Sequence, residues 1–375
     1  MKIERIAMHH ITMPLASPFE TSFGRQYDRE SIIVAMYGER MVGWGECVAT
    51  NDPGYSYETA VTAWHVLSKF LIPAVLGKDL DEPETIQEWM KSVRGHPMAK
   101  AALDQAAWDL LAKRDNLSFA QKLAQPYAEG PRKRVEVGVS IGIQPSEYET
   151  IDLIEEYYMA GYRRFKLKIK PGHDLALVQK VREFYPDERI MLDANSAYTL
   201  DDVPLFQAMD DLNLLMLEQP LGYEDVYDHS LLHPQIKSPL CLDESITSLN
   251  HARLAIALNA CDIINIKPAR VGGWTNARQI HDLCVDAGIG LWVGGMLETG
   301  VGRAAQLALA SLPGFTLPGD ISASERYYRR DIATEFKLNR EDSTITVPTA
   351  PGLGIEIDDS QLRRYTMRWE TFMPE

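Results

Sequence analysis

Little in this sequence points to disulfides, a membrane or a nucleic acid. Four cysteines in 375 residues (Cys47, Cys241, Cys261 and Cys284) are scattered with no C-x-x-C pair. That excludes a disulfide frame or a zinc ribbon and fits reduced thiols in a cytoplasmic protein. Basic residues are in deficit, with 38 Lys and Arg against 53 Asp and Glu and a formal charge of −15. So negative a surface repels phosphate backbones, and no local basic stripe offsets it, so no nucleic-acid partner is expected. Apolar runs such as Leu214 to Leu217 are far shorter than a bilayer span, and Met1 to Arg5 lacks the apolar core of a signal peptide. No membrane partner is expected either. A P-loop and an H-E-x-x-H motif are both missing: Gly77-Lys78-Asp79 lacks the required Ser or Thr, and the nine histidines show no ligand spacing. What remains is ordinary globular composition, 45% apolar and 24% charged, in a chain long enough for one large α/β domain or two domains.

The informative stretch runs from about Val135 to Asp320. Within it, short aliphatic runs recur and each ends in a polar residue: Arg164 to Ile169, Arg189 to Asp193, Leu214 to Glu218, Pro239 to Asp243 and Ile263 to Lys267. Lys168, Asp193, Glu218, Asp243 and Lys267 stand 25, 25, 25 and 24 residues apart. Stretches of helical periodicity lie between, such as Asn250 to Leu258 and Thr275 to Cys284, so each repeat reads as a βα unit. Val137 to Ile143 supplies an earlier strand, Gly290 to Gly294 a later one and Phe315 to Asp320 the last. Eight strands in roughly 185 residues match a compact TIM-type barrel. An open doubly wound sheet uses similar units, but does not explain why polar residues end so many consecutive strands. Residues 1–130 read as an α+β cap with strands at Ile3 to Thr12 and Ser31 to Tyr37 and a helix at Ala99 to Lys113. Residues 131–325 read as the barrel, and 326–375 as a tail returning to the cap.

Asp193, Glu218 and Asp243 end three consecutive strands, which at about 4.8 Å per strand brings them within roughly 10 Å. Three ionised carboxylates so close repel one another unless a cation neutralises them. Hard oxygen donors on a rigid rim suit Mg²⁺, with Mn²⁺ or another divalent ion as alternatives. Each acid alone could merely cap the following helix; three at equal spacing favour the metal. Lys166 and Lys168 share one face of a strand, and Lys267 lies four strands on, half of an eight-membered ring. Lys168 and Lys267 should therefore flank a bound carbon, with Lys166 and Arg270 supplying positive charge that eases loss of a proton. A metal holding a carboxylate between two amines points to proton abstraction at the adjacent carbon through an enediolate. Gly138-Val-Ser140-Ile-Gly142 matches the G-x-S-x-G pattern of hydrolases, but no histidine and acid partners follow, so Ser140 is placed on the first barrel strand in reach of substrate.

With these residues in hand, the chain resembles the enolase superfamily, muconate-lactonising subgroup. The resemblance is carried by Lys166-Leu-Lys168, Asp193-Ala-Asn195, Glu218-Gln-Pro220, Asp243-Glu-Ser245 and Lys267-Pro268. Pro18 to Gly24, Gly294 to Gly300 and Gly319 to Ser324 further resemble the o-succinylbenzoate synthase / N-succinylamino acid racemase group. The resemblance implies a modified (β/α)₇β barrel with an N-terminal α+β capping domain completed by the tail. It also implies Asp193, Glu218 and Asp243 as metal ligands, Lys168 and Lys267 as the acid/base pair, a small-molecule carboxylate substrate and a homo-oligomer. Asp320-Ile-Ser322 departs from the Asp-x-Asp of the family's dipeptide epimerases, which argues against a dipeptide substrate. Phe19, Phe23 and Tyr55, on cap segments credited with specificity in the family, are expected to form an apolar lid, with a small core inside the cap as the competing reading. Gly294, Gly295 and Met296 are expected near the substrate's distal acyl group. Another enzyme of the subgroup, a cycloisomerase or an epimerase, is the nearer alternative; a non-enzymatic barrel is the more distant one.

Overall fold

The computed structural model describes residues 1–22 and 24–374, so the lid residue Phe23 lies outside the described residues. In chain order the strands are β1 (Arg5–Thr21), β2 (Gly24–Gly38), β3 (Met41–Cys47), β4 (Arg134–Glu136), β5 (Val139–Ile141), β6 (Arg164–Lys168) and β7 (Arg189–Asp193). There follow β8 (Leu217–Glu218), β9 (Leu240–Leu242), β10 (Ile263–Ile266), β11 (Gly290–Val293), β12 (Thr344–Thr346) and β13 (Thr366–Phe372). They form an antiparallel sheet in the order β13-β1-β2-β3, a parallel sheet running from β5 to β11 in sequence order, and a two-stranded ribbon of β4 and β12.

The parallel sheet curls into a ring closed by the segment that sequence periodicity assigns to an eighth strand. Here the expectation needs correcting: Phe315 to Asp320 is not a regular strand. Pro318 has no N–H to give a ladder, and the buried Arg164 guanidinium takes the Gly319 carbonyl at 2.6 Å. Single hydrogen bonds close the ring instead. Leu317 and Asp320 N–H donate to the carbonyls of Leu291 and Val293 at 3.3 and 2.9 Å, and Gly138 N–H donates to the carbonyl of Gly319 at 2.8 Å. The chain is thus a modified (β/α)₇β barrel under an α+β cap, with β13 of the tail completing the cap sheet. The other tail strand, β12, pairs with β4 beside the barrel.

Strand alternation sorts the barrel's side chains. Phe165, Leu167, Ile190, Leu192, Ile264 and Ile266 pack outward beneath the helices, while Met191, Met216, Cys241, Ile263 and Trp292 fill the inside of the ring. Arg164, Lys166 and Lys168 share the inner face of β6, every second residue pointing the same way. Between the strands, the helices start at side-chain caps, as where the Ser146 hydroxyl accepts from Glu149 N–H at 3.3 Å.

The N-terminal part of the cap sheet has one more strand, β3 at its edge, than the two expected, because its glycine-rich sequence hides the usual alternation. Those glycines let a helix approach: a Cβ on Gly45 would lie 1.9 Å from the Ala102 carbonyl oxygen, on helix Pro97–Arg114. The cap then grips the barrel through two buried carboxylates at the N-termini of barrel helices, where unpaired N–H groups favour negative charge. Asp104 accepts from Trp274 N–H at 2.7 Å, Thr275 N–H at 3.1 Å and the Thr275 hydroxyl at 2.7 Å, at the start of helix Trp274–Ala287. Glu46 accepts from the Thr299 hydroxyl at 2.7 Å and Gly302 N–H at 2.9 Å, at the start of helix Gly300–Ala310.

Burial pushes the Asp104 carboxyl up from 3.8 to about 6, against the pull of its hydrogen bonds. Between those values the folded chain binds more protons at this site than the unfolded chain, so its contribution to stability falls as pH rises. The stability difference between the wild type and Asp104→Asn, measured by urea denaturation, is therefore expected to shrink or turn against the wild type from about pH 4 to about pH 6. A difference independent of pH would contradict this.

Candidate active site

Parallel pairing sets the first members of the site in register. Ser140 lies opposite Lys166, Lys168 opposite Asp193 and Asp193 opposite Glu218. Glu218 faces Cys241, and Asp243 follows two residues on. Asp193, Glu218 and Asp243 are fully buried, and Lys166, Lys168, Lys267 and Arg270 nearly so. Charges so deep are tolerable only when paired and hydrogen-bonded, and these are. The Lys166 ammonium lies 3.2 Å from Asp193, 3.3 Å from Glu218 and 2.9 Å from Asp320. The Lys168 ammonium donates to Asp193 Oδ2 at 2.6 Å and to Asn195 Oδ1 at 2.7 Å. Lys267 donates to Asp243 Oδ2 at 2.7 Å and to the Tyr55 hydroxyl at 2.9 Å.

The two outer lysines differ electrostatically. Burial pushes the Lys168 ammonium toward losing its proton; Asp193 opposes this and Lys166 assists it. Burial acts the same way on Lys267, but Tyr55, Glu218 and Glu244 outweigh it and hold its proton. Arg270, expected from the sequence to ease the proton off Lys267, approaches the Tyr55 hydroxyl that Lys267 also contacts, at 3.3 Å. Its guanidinium turns to Asp243, the Asn265 carbonyl and, at 2.8 Å, the Ile246 carbonyl. Among the acids, burial works against ionisation of Asp193, yet Lys168 and Lys166 hold it well below the usual carboxylate range. Glu218 is pushed up by burial and by Asp193, and Glu244 up to about 7, chiefly by burial.

A cavity between cap and barrel mouth gathers most of the sequence-predicted residues. Ser140, Lys166, Lys168, Asn195, Lys267 and Asp320 line it from the barrel, with Gly295 and Met296 beside them and Phe19 and Tyr55 from the cap. Others stand back from it. Arg270 lies behind Asp243. A Cβ on Gly294 would meet the Asn265 side-chain oxygen at 2.3 Å, so that glycine makes room for Asn265. The Ser322 hydroxyl donates to the Gly138 carbonyl at 2.9 Å.

Sequence reasoning missed several residues here. Asn265 donates to Glu218 Oε1 at 2.7 Å; its place two residues before Lys267 on β10 was the available signal. Glu244 accepts from Asn195 at 2.9 Å, and Arg29, from β2, lines the cavity, reached only through the long β1–β2 hairpin. Backbone strain collects here too: Asn195, Ser196, Gln219 and Leu297 hold φ of 41°, 65°, 39° and 61°. Non-glycine residues adopt such values at a cost, and clusters of them mark sites held by their surroundings.

As regards a metal, the donor set is all oxygen, buried and anionic, which fits a hard dication. Among the described residues no three acidic, histidine or cysteine side chains are drawn into a ready-made cage; Lys166 stands between Asp193 and Glu218, and Lys267 and Arg270 engage Asp243.

A ring of strands in which three consecutive ends carry acids, flanked on either side by lysines, roofed by an α+β cap, defines a class. Residues 3–123 match the mandelate racemase / muconate lactonizing enzyme N-terminal domain and residues 149–361 the enolase C-terminal domain-like family. The chain belongs to the mandelate racemase / muconate lactonizing enzyme branch of the enolase superfamily. Within it, the chain is 47% identical to an o-succinylbenzoate synthase of Geobacillus kaustophilus over 98% of this chain and 96% of that protein. It is 44% identical to an N-succinylamino acid racemase of Thermus thermophilus, over 100% and 99%. The crystal structure of an enolase-superfamily member from Listeria innocua superposes with a TM-score of 0.94 at 38% identity, covering 100% of this chain and 99% of that one.

The charge network makes a stability prediction. Asp320 meets Lys166 at 2.9 Å, Arg164 at 3.5 Å and the Ser140 hydroxyl at 2.6 Å. Asp320→Asn leaves two buried cations short of a counter-charge and is expected to cost about 3 kcal/mol of unfolding free energy in urea. A loss below about 1 kcal/mol would contradict the pairing.

Proposed function

We propose that this chain removes the proton α to the carboxylate of a succinylated acid, with Lys168 and Lys267 as acid/base pair. In this reading Asp193, Glu218 and Asp243 hold a divalent ion, Mg²⁺ or alternatively Mn²⁺. When bound, such an ion would offset the negative charge that builds on the substrate carboxylate as the proton leaves. One outcome is dehydration of a cyclohexadiene hydroxy-acid to o-succinylbenzoate, a step toward menaquinone. The other is racemisation of N-succinylamino acids or related N-acylamino acids.

The observation that carries this reading is the pair of buried lysines lining one cavity, four strands apart in an eight-membered ring, with opposite electrostatic bias. A Lys168 inclined to be neutral can take the α-proton to form the enediolate. A Lys267 inclined to stay protonated can return one from the other side. Dehydration needs one amine as base and then acid, whereas racemisation needs both. Phe19 and Tyr55 close the mouth, which keeps water from the carbanionic intermediate. The names of the Geobacillus and Thermus relatives support both outcomes. Nothing favours the cycloisomerase alternative over this pair.

The test is exchange at the α-carbon. An N-succinylamino acid incubated in D₂O with Mg²⁺ is expected to gain α-deuterium, read by NMR, and to lose that exchange with a chelator. Each of Lys168→Ala and Lys267→Ala is expected to abolish racemisation. No exchange with any succinylated acid would overturn the reading. Arg270, through its hold on Asp243 beside Lys267, adds a sharper expectation. Arg270→Met should lower kcat/KM for racemisation several-fold more than for dehydration; equal losses would contradict a role for Arg270 in positioning Lys267 as the second acid/base group.

A further inference from the structure

Four arginines are buried: Arg29, Arg164, Arg270 and Arg303. Three of them are committed. Arg164 pairs with Asp320 and Arg270 with Asp243, and Arg303 donates its two terminal nitrogens to the carbonyls of Ser322 and Glu298. Arg29 is not. Its Nη2 donates to the Val48 carbonyl at 2.6 Å, which fixes the side chain. Its Nε is buried without an acceptor, and Nη1 has none among the described residues. Burial works against its charge, and Tyr328, Glu298, Glu46 and Asp52 offset that only in part. None of those acids forms an ion pair with it, and two of them spend their oxygens elsewhere. Glu46 accepts from Thr299 and Gly302, and Glu298 from Met296 and Gln306. A cation buried without a counter-charge is costly to keep.

Arg29 also lines the cavity that holds Lys168 and Lys267, but in another part of it. The groups that act on its charge are not those that act on the two lysines. Lys166, Lys168 and Lys267 each have carboxylates against them. Arg29 is therefore the cavity-lining cation that the protein itself leaves unbalanced.

We propose that Arg29 determines specificity at the far end of the substrate, its Nη1 donating to the free carboxylate of the succinyl group. This rests on the reading above that the substrate is a succinylated acid. Such a substrate is a dianion. Its α-carboxylate belongs beside the acid/base lysines, so its second carboxylate needs a cation of its own, and a guanidinium held at Val48 is already oriented for one. The cyclohexadiene hydroxy-acid and the N-succinylamino acids differ around the reacting carbon but share this carboxylate, so one residue serves both. A neutral acyl group would leave the guanidinium desolvated and unpaired, and the site would reject it.

The test compares an N-succinylamino acid with its N-succinamoyl counterpart, in which a carboxamide of nearly the same shape replaces the distal carboxylate. Binding is measured by calorimetry with Mg²⁺ present, and α-deuterium exchange in D₂O by NMR. The wild type is expected to bind the carboxylate at least about tenfold more tightly than the carboxamide. Arg29→Met is expected to bring the two affinities within about threefold of each other. Arg29→Lys, whose ammonium cannot serve both Val48 and the substrate, is expected to weaken the preference and decides the matter if the methionine variant does not fold. Circular dichroism establishes folding. A wild type that binds both compounds alike would overturn the proposal. So would a folded variant that keeps the full preference, including one that weakens both compounds equally, as a merely structural arginine would. Exchange without a preference for the carboxylate would overturn the role of Arg29 alone; a preference without exchange would overturn the α-proton chemistry alone.

Discussion

The site rests on one amine. From a single position on β6, Lys166 reaches Asp193 and Glu218 at the ends of two neighbouring strands and Asp320 on the closing segment. Without a cation at that point, three buried carboxylates would face one another in a medium of low polarity, and some would have to take up protons or open the ring. With it, Asp193 stays ionised and leaves Lys168 partly desolvated at the rim. The electrostatic asymmetry of Lys168 and Lys267 follows: one sits beside a second ammonium, the other among Tyr55, Glu218 and Glu244.

The cap takes part in that chemistry. Asp104 and Glu46 fasten it to the starts of two barrel helices, so its loops arrive at a fixed height above the strand ends. From there the Ser22 hydroxyl donates to the Asn195 carbonyl at 3.2 Å, and Ile143 N–H to the Glu20 carbonyl at 3.0 Å. Tyr55 bonds Lys267 and, at 3.2 Å, Asp243. Tyr55, expected from the sequence as part of an apolar lid, therefore also has a polar side: it lines the cavity and bonds the Lys267 ammonium.

Much of the barrel was legible because its repeat is rigid. A strand, a helix and two turns consume a nearly constant length, so equal spacing of Lys168, Asp193, Glu218 and Asp243 translates directly into neighbouring strand ends. Legibility failed where pattern and structure part company. β3 alternates glycines for the sake of a close helix and shows little hydrophobic period. The closing segment is held by Arg164 and isolated hydrogen bonds, which leave no periodic trace. Arg29, opposite Met13 on β1, reaches the cavity just before the register shift between Pro14 and Phe19, where the hairpin extends past the apolar stretch Ser31 to Tyr37. Arg270 was located correctly beside Lys267, but its partner is the carboxylate, since a guanidinium finds in Asp243 and two carbonyls the planar set of acceptors it needs.

In the proposed function, Asp193, Glu218 and Asp243 together hold one divalent ion at the mouth of the ring. Electron paramagnetic resonance titration with Mn²⁺ tests it without recourse to turnover. The account predicts one tightly held ion per chain in the wild type, and its loss in a Glu218→Gln variant that remains folded. Equal Mn²⁺ binding by both proteins, or none by either, would contradict it.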